Sequence, residues 1–171
     1  IGRGKKLSMP SEAILSVIQS AFEEGAADLV QLNMDFCEEP DRGFDRLAPL
    51  VTAIKKRFNT FVALKGFPPT NSGTIDLMYA SGFDIIDFPL GGFSGTVKSK
   101  RKMTAKQVYS ALEYAAGVFP PGTVWTDIVL GTDPISQCKE GVDRLTDSGI
   151  IPLIYLERDS SEDLDGYRNL V

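Results

Sequence analysis

Gly25-Ala26-Ala27-Asp28-Leu29-Val30, Gly82-Phe83-Asp84-Ile85-Ile86 and Gly149-Ile150-Ile151 repeat one pattern, a glycine that ends a helix followed at once by an apolar strand. That alternation is the mark of a parallel α/β barrel, whose chemistry sits at the carboxyl ends of the strands. Working outward, Ile14, Ile18, Ala21 and Phe22 share one face of a helix running to about Gly25, with Ser8 as its cap and Pro10 in its first turn. A strand follows over Leu29 to Met34. Leu47, Leu50, Val51, Ile54 and Phe58 mark a second helix that Asn59 is expected to stop in the left-handed conformation. Phe61 to Leu64 is the next strand, Thr74 to Ser81 a short helix, and Phe83 to Phe88 a third strand.

Thr104 starts a helix to about Val118, which Pro120-Pro121-Gly122 terminates. Val124 to Leu130 is a fourth strand. Asp133 caps and Pro134 opens the helix carrying Cys138, Val142 and Leu145, and Ile150 to Leu156 is a fifth strand. Five strands preceded by a helix give a partial (β/α) TIM-type barrel with a parallel sheet, its first strand missing, because a right-handed crossover needs a strand on each side. Residues 1–157 form this barrel domain. Residues 158–171, acidic from Asp159 to Asp165, are expected to be a linker or the start of further structure.

At 171 residues and 43% hydrophobic content the chain can bury a real core. A net charge of −5 disfavours nucleic acid and anionic membrane as partners and leaves a small-molecule substrate. The basic cluster Lys98, Lys100, Arg101 and Lys102, with Lys5 and Lys6, is expected to be solvated, and 93–102 is polar enough to serve as a lid. No apolar run reaches membrane-spanning length and no signal peptide opens the chain, so a cytoplasmic location is expected. Cys37 and Cys138 read as reduced thiols. The absence of histidine removes the commonest metal ligand and general base, and no metal ligands are assigned.

Chemistry-bearing residues cluster at strand ends. Asn33 and Asp35 follow the first strand. Lys65 ends the second, where it can bind a carboxylate or phosphate, pair with a neighbouring acid, or, if desolvated, form a Schiff base. Asp87 and Asp127 interrupt apolar strands, an expensive place for a charge without a partner. Asp84 and Asp28 serve helix-to-strand turns; Tyr109, Tyr114 and Trp125 are packing residues.

Met103 to Leu156, above all Thr126-Asp127-Ile128-Val129-Leu130-Gly131-Thr132-Asp133-Pro134 followed by Ile150-Ile151-Pro152-Leu153, resembles the radical S-adenosylmethionine enzymes of the biotin-synthase-like branch. The resemblance implies S-adenosylmethionine and a 4Fe–4S cluster as cofactors, and generation of a 5′-deoxyadenosyl radical. It assigns Asn33, Asp35, Asp87, Gly131 and Asp133 to the cofactor. The CxxxCxxC ligands of that family are absent from this sequence and would lie on the missing first strand. Two other readings stand beside it. One is a class I aldolase-like Schiff-base lyase, with Lys65 as nucleophile and Asp87 or Asp127 moving the proton. The other is a cluster-less, non-catalytic barrel whose open edge a partner chain or oligomer covers.

Overall fold

The computed structural model describes residues 10–93, 103–131 and 133–156. Five helices alternate with five strands: α1 (Ser11–Glu23), β1 (Leu29–Asn33), α2 (Phe44–Arg57), β2 (Phe61–Lys65), α3 (Gly73–Ala80), β3 (Ile85–Asp87), α4 (Ala105–Val118), β4 (Val124–Leu130), α5 (Ile135–Asp147) and β5 (Ile151–Leu156). The strands form one parallel sheet in the order β1-β2-β3-β4-β5. This is the expected partial TIM-type barrel, open among the described residues at the outer edges of β1 and β5. The expected cap Ser8, the basic residues Lys5, Lys6, Lys98, Lys100, Arg101 and Lys102, almost all of the expected lid and the 158–171 segment lie outside the described residues.

Alternation along the strands decides which residues make the core. Val62 and Leu64 of β2, Ile86 of β3, and Val124, Ile128 and Leu130 of β4 are buried together with Val51 and Ile54 of α2, Ile75 and Met78 of α3, Leu112 of α4 and Leu145 of α5. The intervening residues face what would be the barrel interior. In α1 only Leu15 is fully buried, and the expected face of Ile14, Ile18, Ala21 and Phe22 is half-covered, because this helix lies next to an edge strand. Phe22 reaches Phe58 at the end of α2, ring centroids 5.7 Å apart.

Three local expectations are corrected. Asn59 is not left-handed: Phe58 ends α2 in an extended conformation, φ −127°, and Arg42 is the sole described non-glycine residue with positive φ. Asp133 does not cap α5. Pro134 occupies that position without a side-chain bond, while the buried Asp133 carboxylate accepts the Phe93 N–H at 2.6 Å. β3 is shorter than expected because Asp84, as foreseen, works at the turn, accepting from Val62 N–H at 2.7 Å and from Lys55 Nζ at 2.8 Å. Thr104 does cap α4, in a reciprocal box with Gln107.

Candidate functional site

Register brings the strand-end residues together. Asn33 of β1 pairs with Lys65 of β2, and Lys65 pairs with Asp87 of β3, so the three share a row on the inner face. Asp87 pairs with Trp125, and Asp127 stands two residues beyond it on the same face of β4. Lys65 spans both gaps: its Nζ lies 2.9 Å from Asp87 Oδ2 and 2.5 Å from Asp127 Oδ2. One cation thus holds two carboxylates on three adjacent strands, and the cluster carries a formal charge of −1.

Its electrostatics follow from burial. Asp87 is 3% exposed, and desolvation pushes its pKa above the ordinary carboxylate value; the Lys65 hydrogen bond pulls it down and the Asp127 charge adds to the rise. Burial alone would lower the Lys65 pKa, but its hydrogen bonds to Asp127 and Asp87 outweigh that and hold it above 10.5. Each carboxylate keeps one buried oxygen, Asp87 Oδ1 and Asp127 Oδ1, that accepts no hydrogen bond from the described residues.

Beyond Asp87 the chain continues along β4 with one residue too many. Asp87 stands opposite Trp125 and Gly91 opposite Ile128, four steps on one strand against three on the other, which is a β-bulge. Gly91, at φ 83°, donates its N–H to Asp127 O at 2.9 Å and accepts from Val129 N–H at 2.6 Å. The loops after β1 and β2 are clasped by Arg42, which donates to Cys37 O at 2.8 Å and Pro68 O at 3.2 Å and lies over the Phe36 ring.

Of the residues singled out from sequence, Lys65, Asp87 and Asp127 converge. Asn33 joins their row but is exposed, its Oδ1 accepting from Gln31 Nε2 at 2.7 Å. Asp35 is exposed in the loop after β1, and Gly131 turns the chain after β4 with φ 107°. Asp133 is spent on Phe93 and lies outside the ion-pair cluster. Cys37 sits within 3.5 Å of the Arg46 guanidinium. Sequence reasoning missed the bulge, Thr126, Gln31 and Arg42. Pro89 and Gly91-Gly92 directly after a strand were the available signal for the bulge. A groove of about 600 Å³ between α4 and α5, lined by Tyr109, Glu113, Gly141 and Arg144 among others, contains none of the converging residues.

Among the described residues no three cysteine or carboxylate side chains are gathered so as to hold a metal ion. Lys65 does not suit a Schiff base, because that chemistry needs a neutral amine and two carboxylates keep this one protonated.

No family model and no curated protein matches the chain. Among solved structures it is similar to the Yersinia pestis dihydropteroate synthase bound to a pterine-sulfa conjugate, with 16% identity and a TM-score of 0.53 over 94% of this chain and 60% of that one. A sulfonamide drug complex of the same enzyme matches with 15% identity and a TM-score of 0.53 over 96% and 61%. The chain therefore spans about 60% of the length of these neighbours. These similarities correct the radical S-adenosylmethionine assignment, and S-adenosylmethionine and the 4Fe–4S cluster, which rested on it, are withdrawn. Neither the Schiff-base lyase nor the non-catalytic barrel matches the neighbours, which are synthases solved with small molecules. What chain and neighbours share is a parallel α/β barrel architecture.

Proposed function

We propose that this chain is the strand-end portion of a small-molecule enzyme in which Lys65, Asp87 and Asp127 seat a flat, N–H-rich heterocycle of the pterin kind. The observation that carries this reading is the pair of buried carboxylate oxygens, Asp87 Oδ1 and Asp127 Oδ1, that have no donor among the described residues. A buried acceptor left unsatisfied costs about 1–3 kcal/mol, and a ligand offering two N–H groups removes that cost twice. Lys65 has three N–H bonds and spends two on the carboxylates, so its third donates to a ligand carbonyl or ring nitrogen between the two N–H groups. The edge read by the site is acceptor, donor, acceptor, and the 2-amino N–H, N1 and N8–H edge of a 7,8-dihydropterin presents the complement.

In this reading Lys65 aims both carboxylates, Asp87 Oδ1 accepts a ligand N–H and can take its proton, and Asp127 orients the ligand. Asn33, Asp35 and Gly131 form the rim of the mouth, and Asp133 supports it through Phe93. Further support comes from the solved neighbours, one of which is bound to a pterine-sulfa conjugate. The outer edge of β1, unpaired among the described residues, is where a partner strand or second chain would add. A cytoplasmic setting goes with the reading; Cys37 and Cys138 are not joined in a disulfide, and no described helix is long and apolar enough to cross a membrane.

Calorimetric titration with a 7,8-dihydropterin tests the proposal. The parent protein should bind it, and Asp87→Asn or Asp127→Asn should each weaken binding by about 10- to 100-fold, as expected for loss of a charged hydrogen bond. Absence of binding to the parent, or parental affinity in both variants, would sink the proposal.

A further inference from the structure

The bulge beside the ion-pair cluster is held by a residue that the strand pattern does not call for. Thr126 lies on the helix-facing side of β4, between Val124 and Ile128 in the alternation, and is fully buried. Valine, of the same shape, would fill that place without a hydroxyl to satisfy. The hydroxyl is used twice: Oγ1 accepts the Leu90 N–H at 3.1 Å and donates to Phe88 O at 2.8 Å. Those two groups fall inside the bulge, between the ladder bonds Phe88 N–H to Trp125 O and Gly91 N–H to Asp127 O. Pro89 has no N–H, so Leu90 carries the bulge's one orphaned donor, and Thr126 takes it.

The extra residue matters for the site. In a regular ladder, residue 89 would stand opposite Asp127 on the inner face, between its carboxylate and the Lys65 ammonium two strands away. In the bulge Asp127 O pairs with Gly91 N–H instead, and the path from Lys65 across β3 to Asp127 is open.

We propose that Thr126 is a positioning residue, its hydroxyl stapling the bulge that lets Asp87 and Asp127 share Lys65. The proposal rests on the reading of those three residues as the ligand site, but it can be tested without a ligand. Thr126→Val removes the hydroxyl and keeps the shape; Thr126→Ser keeps the hydroxyl. Acylation of Lys65 by acetic anhydride, followed by peptide mass spectrometry, and amide exchange at Leu90, followed by NMR, are read in all three proteins. In Thr126→Val both rates should rise about tenfold or more, the consequence of an unsatisfied buried N–H and a loosened ion pair, and Thr126→Ser should return both to parental values. Pterin affinity should follow the same order. A parent that binds no pterin removes the ligand reading, while acylation and exchange still decide the role of Thr126. Parental rates at both sites in Thr126→Val would overturn it. Should Thr126→Val not fold, the parent and Thr126→Ser decide: a Leu90 amide protected in both sustains the staple, and one exchanging like an exposed loop amide in the parent overturns it.

Discussion

The two faces of one sheet have opposite characters. Toward the helices, Val62, Leu64, Ile86, Ile128 and Leu130 are closed off from solvent and make an apolar layer that Thr126 alone of the buried residues of β2, β3 and β4 on this face interrupts with a hydroxyl. Toward the barrel interior the same strands carry Phe61, 63% exposed, half-exposed Ile151 and Tyr155, and the Lys65–Asp87–Asp127 cluster. Residues two positions apart thus do unlike work, because strand geometry sends neighbours to opposite sides. One face builds stability through packing, and the other gathers charges that packing alone would reject.

The sharpest way to break the contrast is Lys65→Met, which leaves two carboxylates facing each other around a buried centre. Destabilisation of about 3–5 kcal/mol at pH 7 is expected in urea unfolding. The pH dependence has a defined sign. Lys65 has a raised folded pKa, so its contribution is present below 10.5 and is lost as pH rises through the folded value, where parent and variant should converge. Asp87, pushed up by burial and by Asp127, takes a proton more readily without the lysine, so the deficit should also shrink as the pH is lowered toward the carboxylate range. A deficit unchanged between pH 7 and pH 4 would mean that the lysine contributes packing rather than charge.

On the helix-facing side, Ile128→Ala should cost about 3 kcal/mol, from lost burial plus the cavity left in a layer with no room to relax, with pterin affinity retained in the protein that remains folded. Phe61→Thr gives the smallest effect. Its ring lies on the inner face but in water, and the change should stay within about 0.5 kcal/mol by thermal melting. A larger loss there would show that something covers the inner face in solution.

Most of this contrast was legible in the sequence. The glycine-then-apolar-strand pattern places β1, β3 and β5, helical spacing and turn residues place the other elements, and Lys65, Asp87 and Asp127 stand out as charges in apolar strands, each needing a partner. That they are one another's partners depends on register, which no local pattern fixes when parallel strands are joined by whole helices. The bulge was hidden for the same reason: counting residues between Asp87 and Gly91 means nothing until β4 lies alongside. Asp133 looked like a helix cap by its position before Pro134, and only the tertiary approach of Phe93 diverts its carboxylate. The family resemblance rested on apolar strand patterns and a glycine with a nearby acid, features that many unrelated barrels present.

The sheet order follows the chain order from β1 to β5 without a skip. Each strand pairs with the one made just before it, so no finished edge must reopen to admit a later arrival. A ribosome releasing this chain would deliver each helix and strand to an edge already in place, and the sheet can be assembled by accretion in the order of synthesis. The Lys65 salt bridges are completed only when β4 emerges, so the charged centre is among the last features to form.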